Sequence, residues 1–266
     1  MWGAIMRNFN KSLTRNILLV ISYDGTRYSG WQVQKNAITV QEMFQVALKN
    51  VLKEDVDIKG CSRTDSKVHA NMYCVNFKTS SRIGLNNIIC AMNRFLPDDI
   101  CVKKSFEVDE DFHARYSCTG KEYVYKIWNH KIRNPFMHNY ALHYWYSLDC
   151  ELLNSARNYF IGNHDFTSFA TLDKRNTQNM IRNIYDFSVT KQNDLVEIKI
   201  SANGFLYNMV RIIVGTLLRI AQNKIKIYDI PEIINKKNRA YAGPTAPPHG
   251  LYLNKVYYDN IKLETE

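Results

Sequence analysis

Arg63, Asp65, Lys67 and His69 place a guanidinium, a carboxylate, an ammonium and an imidazole inside one short stretch, Gly60 to Ala70. A carboxylate two residues from an arginine can be held ionised and fixed in direction, as a carboxylate nucleophile requires. A plainer reading also fits, in which Asp65 closes an Asx-turn and Arg63 is solvated. The stretch alone leaves both open.

The flanking residues show what must carry this loop. Val56 and Ile58 alternate on one side, and Tyr73, Val75 and Phe77 on the other, so period-2 patterning predicts a hairpin with residues 60–70 as its connection. Upstream, Asn16 to Ser22 reads as a strand. The loop after it holds Tyr23, Asp24, Gly25, Arg27, Tyr28, Gly30 and Trp31, an unusual load for a mere connection. Thr39 with Glu42 predicts a capped helix carrying Val40, Met43, Phe44, Ala47, Leu48 and Val51 on one stripe. A second helix runs from Leu85 to Leu96-Pro97, and Ile100 to Phe106 is a strand.

The second half repeats this order. Lys121 to Trp128 is a strand, a helix spans Leu153 to Phe160 and closes at Gly162, and Arg182–Val189 with Leu195–Ser201 form a hairpin. An apolar helix then carries Val210 to Ala221, a short helix lies near Pro231, and Leu251 to Tyr258 is the last strand. The expected fold is α+β: two ferredoxin-like βαββαβ units with antiparallel sheets side by side and a cleft between them. The first unit, 15–110, carries the Asp65 loop, and the second, 111–266, completes the cleft.

Composition narrows the partner. A net charge of +10 favours a polyanion, most simply nucleic acid, over a merely lysine-rich surface, and the 17 tyrosines supply rings for stacking on bases. Cys61, Cys74, Cys90, Cys101, Cys118 and Cys150 form no CxxC or metal-type pattern, so no metal site is expected and a reducing cytoplasm is. No secretory segment or membrane-spanning run is apparent. Residues 1–14 read as a loose leader in which Met6 is an alternative start, and the Asn10 sequon carries no weight without a signal peptide.

Eight stretches in order give the chain a family likeness. They are Tyr23-Asp24-Gly25 with Gly30-Trp31-Gln32; Thr39-Val40-Gln41; Arg63-Thr64-Asp65 with Val68-His69-Ala70; and Phe112-His113-Ala114-Arg115. The others are Lys121-Glu122-Tyr123 with Tyr125; His164-Asp165-Phe166; Phe205 to Arg211; and Ala242-Gly243 with Thr245-Ala246-Pro247 and Gly250-Leu251. From Asn16 onward the chain resembles the TruA-type tRNA pseudouridine synthases. The resemblance implies isomerisation of uridine to pseudouridine at positions 38, 39 or 40 of the tRNA anticodon stem-loop, without cofactor or metal, by a homodimer. It implies Asp65 as nucleophile, Tyr123 stacking on the base and assisting proton removal, Arg211 paired with the acid, and Arg63 helping to flip the base. Leu251 is then an apolar contact to the base, with Lys67, His69, Arg27 and Arg115 as further substrate contacts. Lys35, Lys78, Arg82, Lys121 and Lys126 are additional phosphate candidates or solvated surface.

The loop departs from the family pattern, Gly-Arg-Thr-Asp-Ala-Gly-Val-His-Ala. Ser62 and Lys67 stand where that pattern has glycine, and Ser66 where it has alanine. Lys67 implies a changed loop path and a cation beside the acid. The alternative function is a non-catalytic or site-shifted RNA-binding paralogue, against which the retained Asp65, Tyr123 and Arg211 argue. An unrelated nucleotide enzyme finds no Walker loop, GxGxxG or HExxH here.

Overall fold

A computed structural model of the protein describes residues 14–172, 179–259 and 261–263. The expected leader, with Met6 and the Asn10 sequon, lies outside them except for Thr14. The first half contains β1 (Arg15–Tyr23), α1 (Val40–Leu52), β2 (Ile58–Gly60), β3 (His69–Thr79), α2 (Leu85–Phe95) and β4 (Ile100–Val108). The second contains β5 (Gly120–Trp128), β6 (Leu142–His143), α3 (Cys150–Ser155), α4 (Arg157–Phe160), β7 (Gly162–Asp165) and β8 (Ile181–Gln192). It continues with β9 (Leu195–Ala202), α5 (Met209–Ala221), α6 (Ile230–Asn235) and β10 (Leu251–Tyr257).

The fold is α+β, and its strands form one sheet. The order is β4-β1-β3-β10-β5-β9-β8-β7, with β2 also on β3 and β6 on β5. Within the first half the strands lie β4-β1-β3-β2 and within the second β10-β5-β9-β8, every neighbouring pair antiparallel. A short parallel ladder joins the halves, Tyr252 opposite His69 and Leu253 opposite Ala70. Because β2 pairs only with Val75–Phe77, it leaves the start of β3 open for β10. The halves therefore share hydrogen bonds across their seam, where separate sheets had been expected.

Several local expectations change. His69 and Ala70 belong to β3, so the hairpin connection is 61–68. The helix expected over 153–160 is two short pieces, α3 and α4. The short strands β6 and β7 were not anticipated, because Gly162-Asn163-His164-Asp165 shows no apolar alternation. Thr39 caps α1 as expected, its hydroxyl accepting the Glu42 N–H at 3.4 Å. The α1 stripe is buried at Val40, Phe44, Ala47, Leu48 and Val51. α5 is buried nearly all round, from Met209 through Leu217, which makes it the rigid element of the second half.

The crossing segment between the halves is pinned by polar groups. Asn16 Nδ2 donates to the carbonyls of Asp109 and Phe112, and Asn76 Nδ2 donates to Asn16 Oδ1. Asn76 Oδ1 in turn accepts the Ala114 N–H at 2.8 Å. Two buried asparagines thus fix the backbone just before Arg115, with their own polar atoms satisfied.

Candidate active site

Residues 61–68 cross the seam, and a cleft of about 430 Å³ opens over them. That volume falls in the range of small-ligand sites, roughly 300–1,000 Å³. Its walls come from both halves: Ser62 to Asp65 from the loop, Tyr123 from β5, Arg182 from β8, the 205–211 stretch entering α5, and Leu251 at the start of β10.

The loop backbone is held from below. Gly30 has φ +91°, and a Cβ there would stand 2.4 Å from the Thr64 carbonyl. That same carbonyl accepts the Trp31 N–H at 3.1 Å. Trp31 stacks on Tyr73 at 4.0 Å, and the Tyr73 hydroxyl donates to the Ser62 carbonyl at 2.6 Å. Tyr23 and Thr64 share a 2.8 Å hydroxyl bond. The Gly30-Trp31 stretch is a cradle for the loop.

Asp65 faces Arg211. A terminal nitrogen of Arg211 lies 3.1 Å from Asp65 Oδ2 and donates to Asn208 Oδ1 at 2.8 Å, while its Nε donates to the Ala246 carbonyl at 2.7 Å. The Arg211 side chain is 15% exposed and that of Asp65 31%. Arg211 projects from the first turn of α5, whose burial fixes it. The guanidinium beside Asp65 is therefore Arg211, 146 residues away in sequence. Arg63 is exposed on the cleft rim and makes no hydrogen bond or ion pair among the described residues. Burial pushes the Asp65 carboxyl above its ordinary value, and the Arg211 charge and hydrogen bond pull it back down.

Tyr123 is nearly buried. Its ring meets Phe205 edge-on at 5.0 Å, and its hydroxyl is 3.2 Å from Ser62 Oγ. Burial pushes the phenol well above its ordinary value, with the Ser62 hydrogen bond opposing. At neutral pH it is a neutral stacking and hydrogen-bonding group. Ser62, a departure from the family loop, is thus what the Tyr123 hydroxyl rests on.

Lys67 takes φ +63°, the left-handed conformation a glycine would adopt. It is the third residue of a turn closed by Val68 N–H on the Asp65 carbonyl at 3.2 Å. The lysine therefore occupies a backbone conformation that glycine reaches most readily. Its side chain is exposed and does not line the cleft.

Leu251 and Arg115 line the cleft, as does Lys121; Arg27 and His69 do not. Arg27 pairs with Asp99 at 2.7 Å outside it. His69, 1% exposed, is placed as a structural pin, not as a surface contact. Its Nε2 lies 3.0 Å from the Asn139 carbonyl and 3.2 Å from that of His249, and its Nδ1 3.1 Å from the Gly25 N–H. Carbonyls can only accept and an amide N–H can only donate, so the ring is neutral with its proton on Nε2. Burial, which lowers its basicity, agrees, so the 3.1 Å approach of Asp24 to Nδ1 is not an ion pair. Lys78 pairs with Glu110, and Lys126 lies over the Tyr252 ring, 3.9 Å from Glu197.

Three cleft residues had no role assigned from sequence. Arg182 is a single cation at a strand start, and nothing in its spacing marks it. Phe205 and Tyr207 sat within a recognised stretch, but only the fold turns Phe205 onto Tyr123 and leaves Tyr207 57% exposed on the rim. Among the described lining residues, five cations (Arg63, Arg115, Lys121, Arg182, Arg211) face one carboxylate, Asp65. No group of three or more His, Cys, Asp or Glu among the described residues is placed to hold a metal ion. No described helix is long and apolar enough to cross a membrane.

Comparison with known proteins matches residues 19–117 and 156–259 to the model of a family described as tRNA pseudouridine synthase. The chain is 48% identical over 244 residues to "tRNA pseudouridine synthase A" of Thermoanaerobacter sp. (strain X514), covering 92% of this chain and all of the relative. It is 46% identical to the protein of that name from Acetivibrio thermocellus, with the same coverage. A solved Cbf5-Nop10-Gar1 complex overlaps 90% of this chain and 59% of its own at 10% identity, with a TM-score of 0.35. The family match takes in Asp65 and Arg211, and the relatives, matched over 244 residues, span the interval between its two segments; the chain belongs to the tRNA pseudouridine synthase family and is an isomerase.

Proposed function

We propose that the protein converts uridine to pseudouridine in the anticodon stem-loop of tRNA, at positions 38, 39 or 40, with Asp65 as nucleophile. The observation that carries this reading is Asp65 held by Arg211 on the floor of a cleft whose other charged lining residues, among those described, are all cations. In the net reaction the bond from ribose C1′ to N1 breaks and one from C1′ to C5 forms. The C5 proton is lost and N1 gains one, so nothing is oxidised or hydrolysed. Asp65 is the one carboxylate among the described cleft residues that can act as nucleophile.

The other residues take roles set by their placement. Arg63, exposed on the rim, helps hold the uridine out of the stem, and Tyr123 and Leu251 offer the ring and apolar contacts that receive the base. Unstacking costs a few kcal/mol, which one or two such stacking contacts of about 1–3 kcal/mol offset. A cytoplasmic homodimer sharing one tRNA completes the reading. The test is chemical mapping of pseudouridine in tRNA transcripts incubated with the protein. Signal confined to positions 38–40 supports the assignment, and signal elsewhere, with those positions untouched, refutes the site choice.

A further inference from the structure

Arg182 is the cleft residue whose chemistry is least accounted for. It starts β8, partly buried, and one terminal nitrogen donates to the carbonyls of Asn179 at 2.8 Å and Ile181 at 2.7 Å. Those two bonds aim the guanidinium plane and leave its Nε and second terminal nitrogen unused among the described residues. No described carboxylate pairs with it. A Cβ on Gly204 would lie 3.6 Å from its Nε, so the β9 side of the cleft presents bare backbone beside the guanidinium. Burial without a neighbouring carboxylate works against the arginine's charge, and an arginine so placed calls for an anion.

We propose that Arg182 binds a backbone phosphate of the RNA strand next to the target uridine. A planar guanidinium that lines the cleft with N–H groups left unused among the described residues suits the geometry of a phosphodiester. Arg63, Arg115 and Lys121 extend the positive wall around it. The flipped nucleotide is thus gripped at its backbone as well as its base, from a strand of the second half while the first half supplies the nucleophile. This inference rests on the reading that the cleft takes a uridine of tRNA.

The test is the salt dependence of binding to an anticodon stem-loop RNA, over roughly 50–200 mM salt, for wild type, Arg182→Gln and Arg182→Lys. Arg182→Gln is expected to weaken binding about tenfold or more at low salt and to reduce the slope of log K against log salt by about 0.7–0.9. Arg182→Lys keeps the slope. A neutral methylphosphonate placed beside the target uridine lowers the wild-type slope equally and leaves the Arg182→Gln slope unchanged. A wild-type slope in Arg182→Gln, or equal further loss when the methylphosphonate is added to it, overturns the proposal. An arginine that only braced the 179–181 backbone would lower thermal stability and leave the slope alone. A wild-type protein that modifies no uridine in the stem-loop would instead overturn the reading of the cleft itself.

Discussion

Replacing Gly215 by alanine sets two effects against each other. Gly215 lies on α5 one turn beyond Arg211, and helix propensity favours alanine by about 1 kcal/mol. Yet a Cβ there would stand 1.7 Å from the Pro244 carbonyl oxygen, so that carbonyl would have to retreat by roughly 1.7 Å to reach the 3.4 Å of ordinary contact. Gly243 is also tight, its own Cβ falling 2.5 Å from the Gly215 carbonyl. The 243–246 segment thus lies on α5 with no side chain between them. Three hydrogen bonds hold it there: Gly243 N–H to Thr216 Oγ1 at 2.8 Å, Ala246 N–H to the Arg211 carbonyl at 3.0 Å, and Arg211 Nε to the Ala246 carbonyl at 2.7 Å. At about 1 kcal/mol each, with overpacking of about 1–3 kcal/mol, their loss outweighs the propensity gain by about 3–5 kcal/mol. The expected result is a Tm lower by roughly 6–20 °C. Because the third bond orients Arg211 against Asp65, turnover should also fall by about 100-fold below the transition. Circular dichroism melting and single-turnover rates measure both. A Gly215→Ala protein as stable as wild type, or more so, would show that propensity governs and that the close approach is not real.

Three other outcomes follow from the site. The Asp65 carboxyl sits above its ordinary value, so its ionised form is penalised in the fold: its stabilising effect is complete below the unfolded value and is lost as pH rises through the folded one. Activity should accordingly fall as pH drops through a limb above the usual carboxylate range, and Arg211→Gln should move that limb to higher pH, which pH–rate profiles would show. His69→Leu leaves the Gly25 N–H without its acceptor and two carbonyls without their donor, for a loss of about 2 kcal/mol or more in denaturant titration. Because burial lowers its basicity, the His69 contribution is complete above about pH 6.5, the unfolded value, and declines as pH falls through the folded one. Lys67→Gly relieves left-handed strain of about 1 kcal/mol but loosens the unfolded chain by a similar amount, so denaturant midpoints should move by less than about 1 kcal/mol.

Much of the fold was legible because its elements announce themselves locally. The α1 stripe and its Thr39 cap, the alternation of β3 and β5, and the apolar run of α5 are all statements about neighbours in sequence. What was not legible depends on distant pairing. Nothing near Leu253 says that it lies opposite Ala70, so the single sheet could not be read from strand order. Loop spacing by itself offered Arg63 as the partner of Asp65, whereas the family likeness pointed to Arg211, and the part-buried Arg211 is the residue that pairs with it. An arginine in the first turn of an apolar helix was the signal for it, since such a charge needs a counter-ion. His69 read as a loop residue because its tight acceptors, the carbonyls of Asn139 and His249, are 70 and 180 residues away. Nothing in the sequence near Lys67 showed that it would take a positive φ, which lysine rarely does; the Asp65–Val68 turn holds it there.

The most direct test of the central claim is tritium release from uracil-5-tritiated anticodon stem-loop tRNA, comparing wild type with Asp65→Asn while measuring tRNA binding by both. Asparagine retains an oxygen for Arg211 but cannot act as a carboxylate nucleophile. The expected result is release by wild type, none by Asp65→Asn, and comparable binding. Release by Asp65→Asn at the wild-type rate would contradict Asp65 as nucleophile, and binding without release by either protein would show that the cleft does not isomerise this RNA.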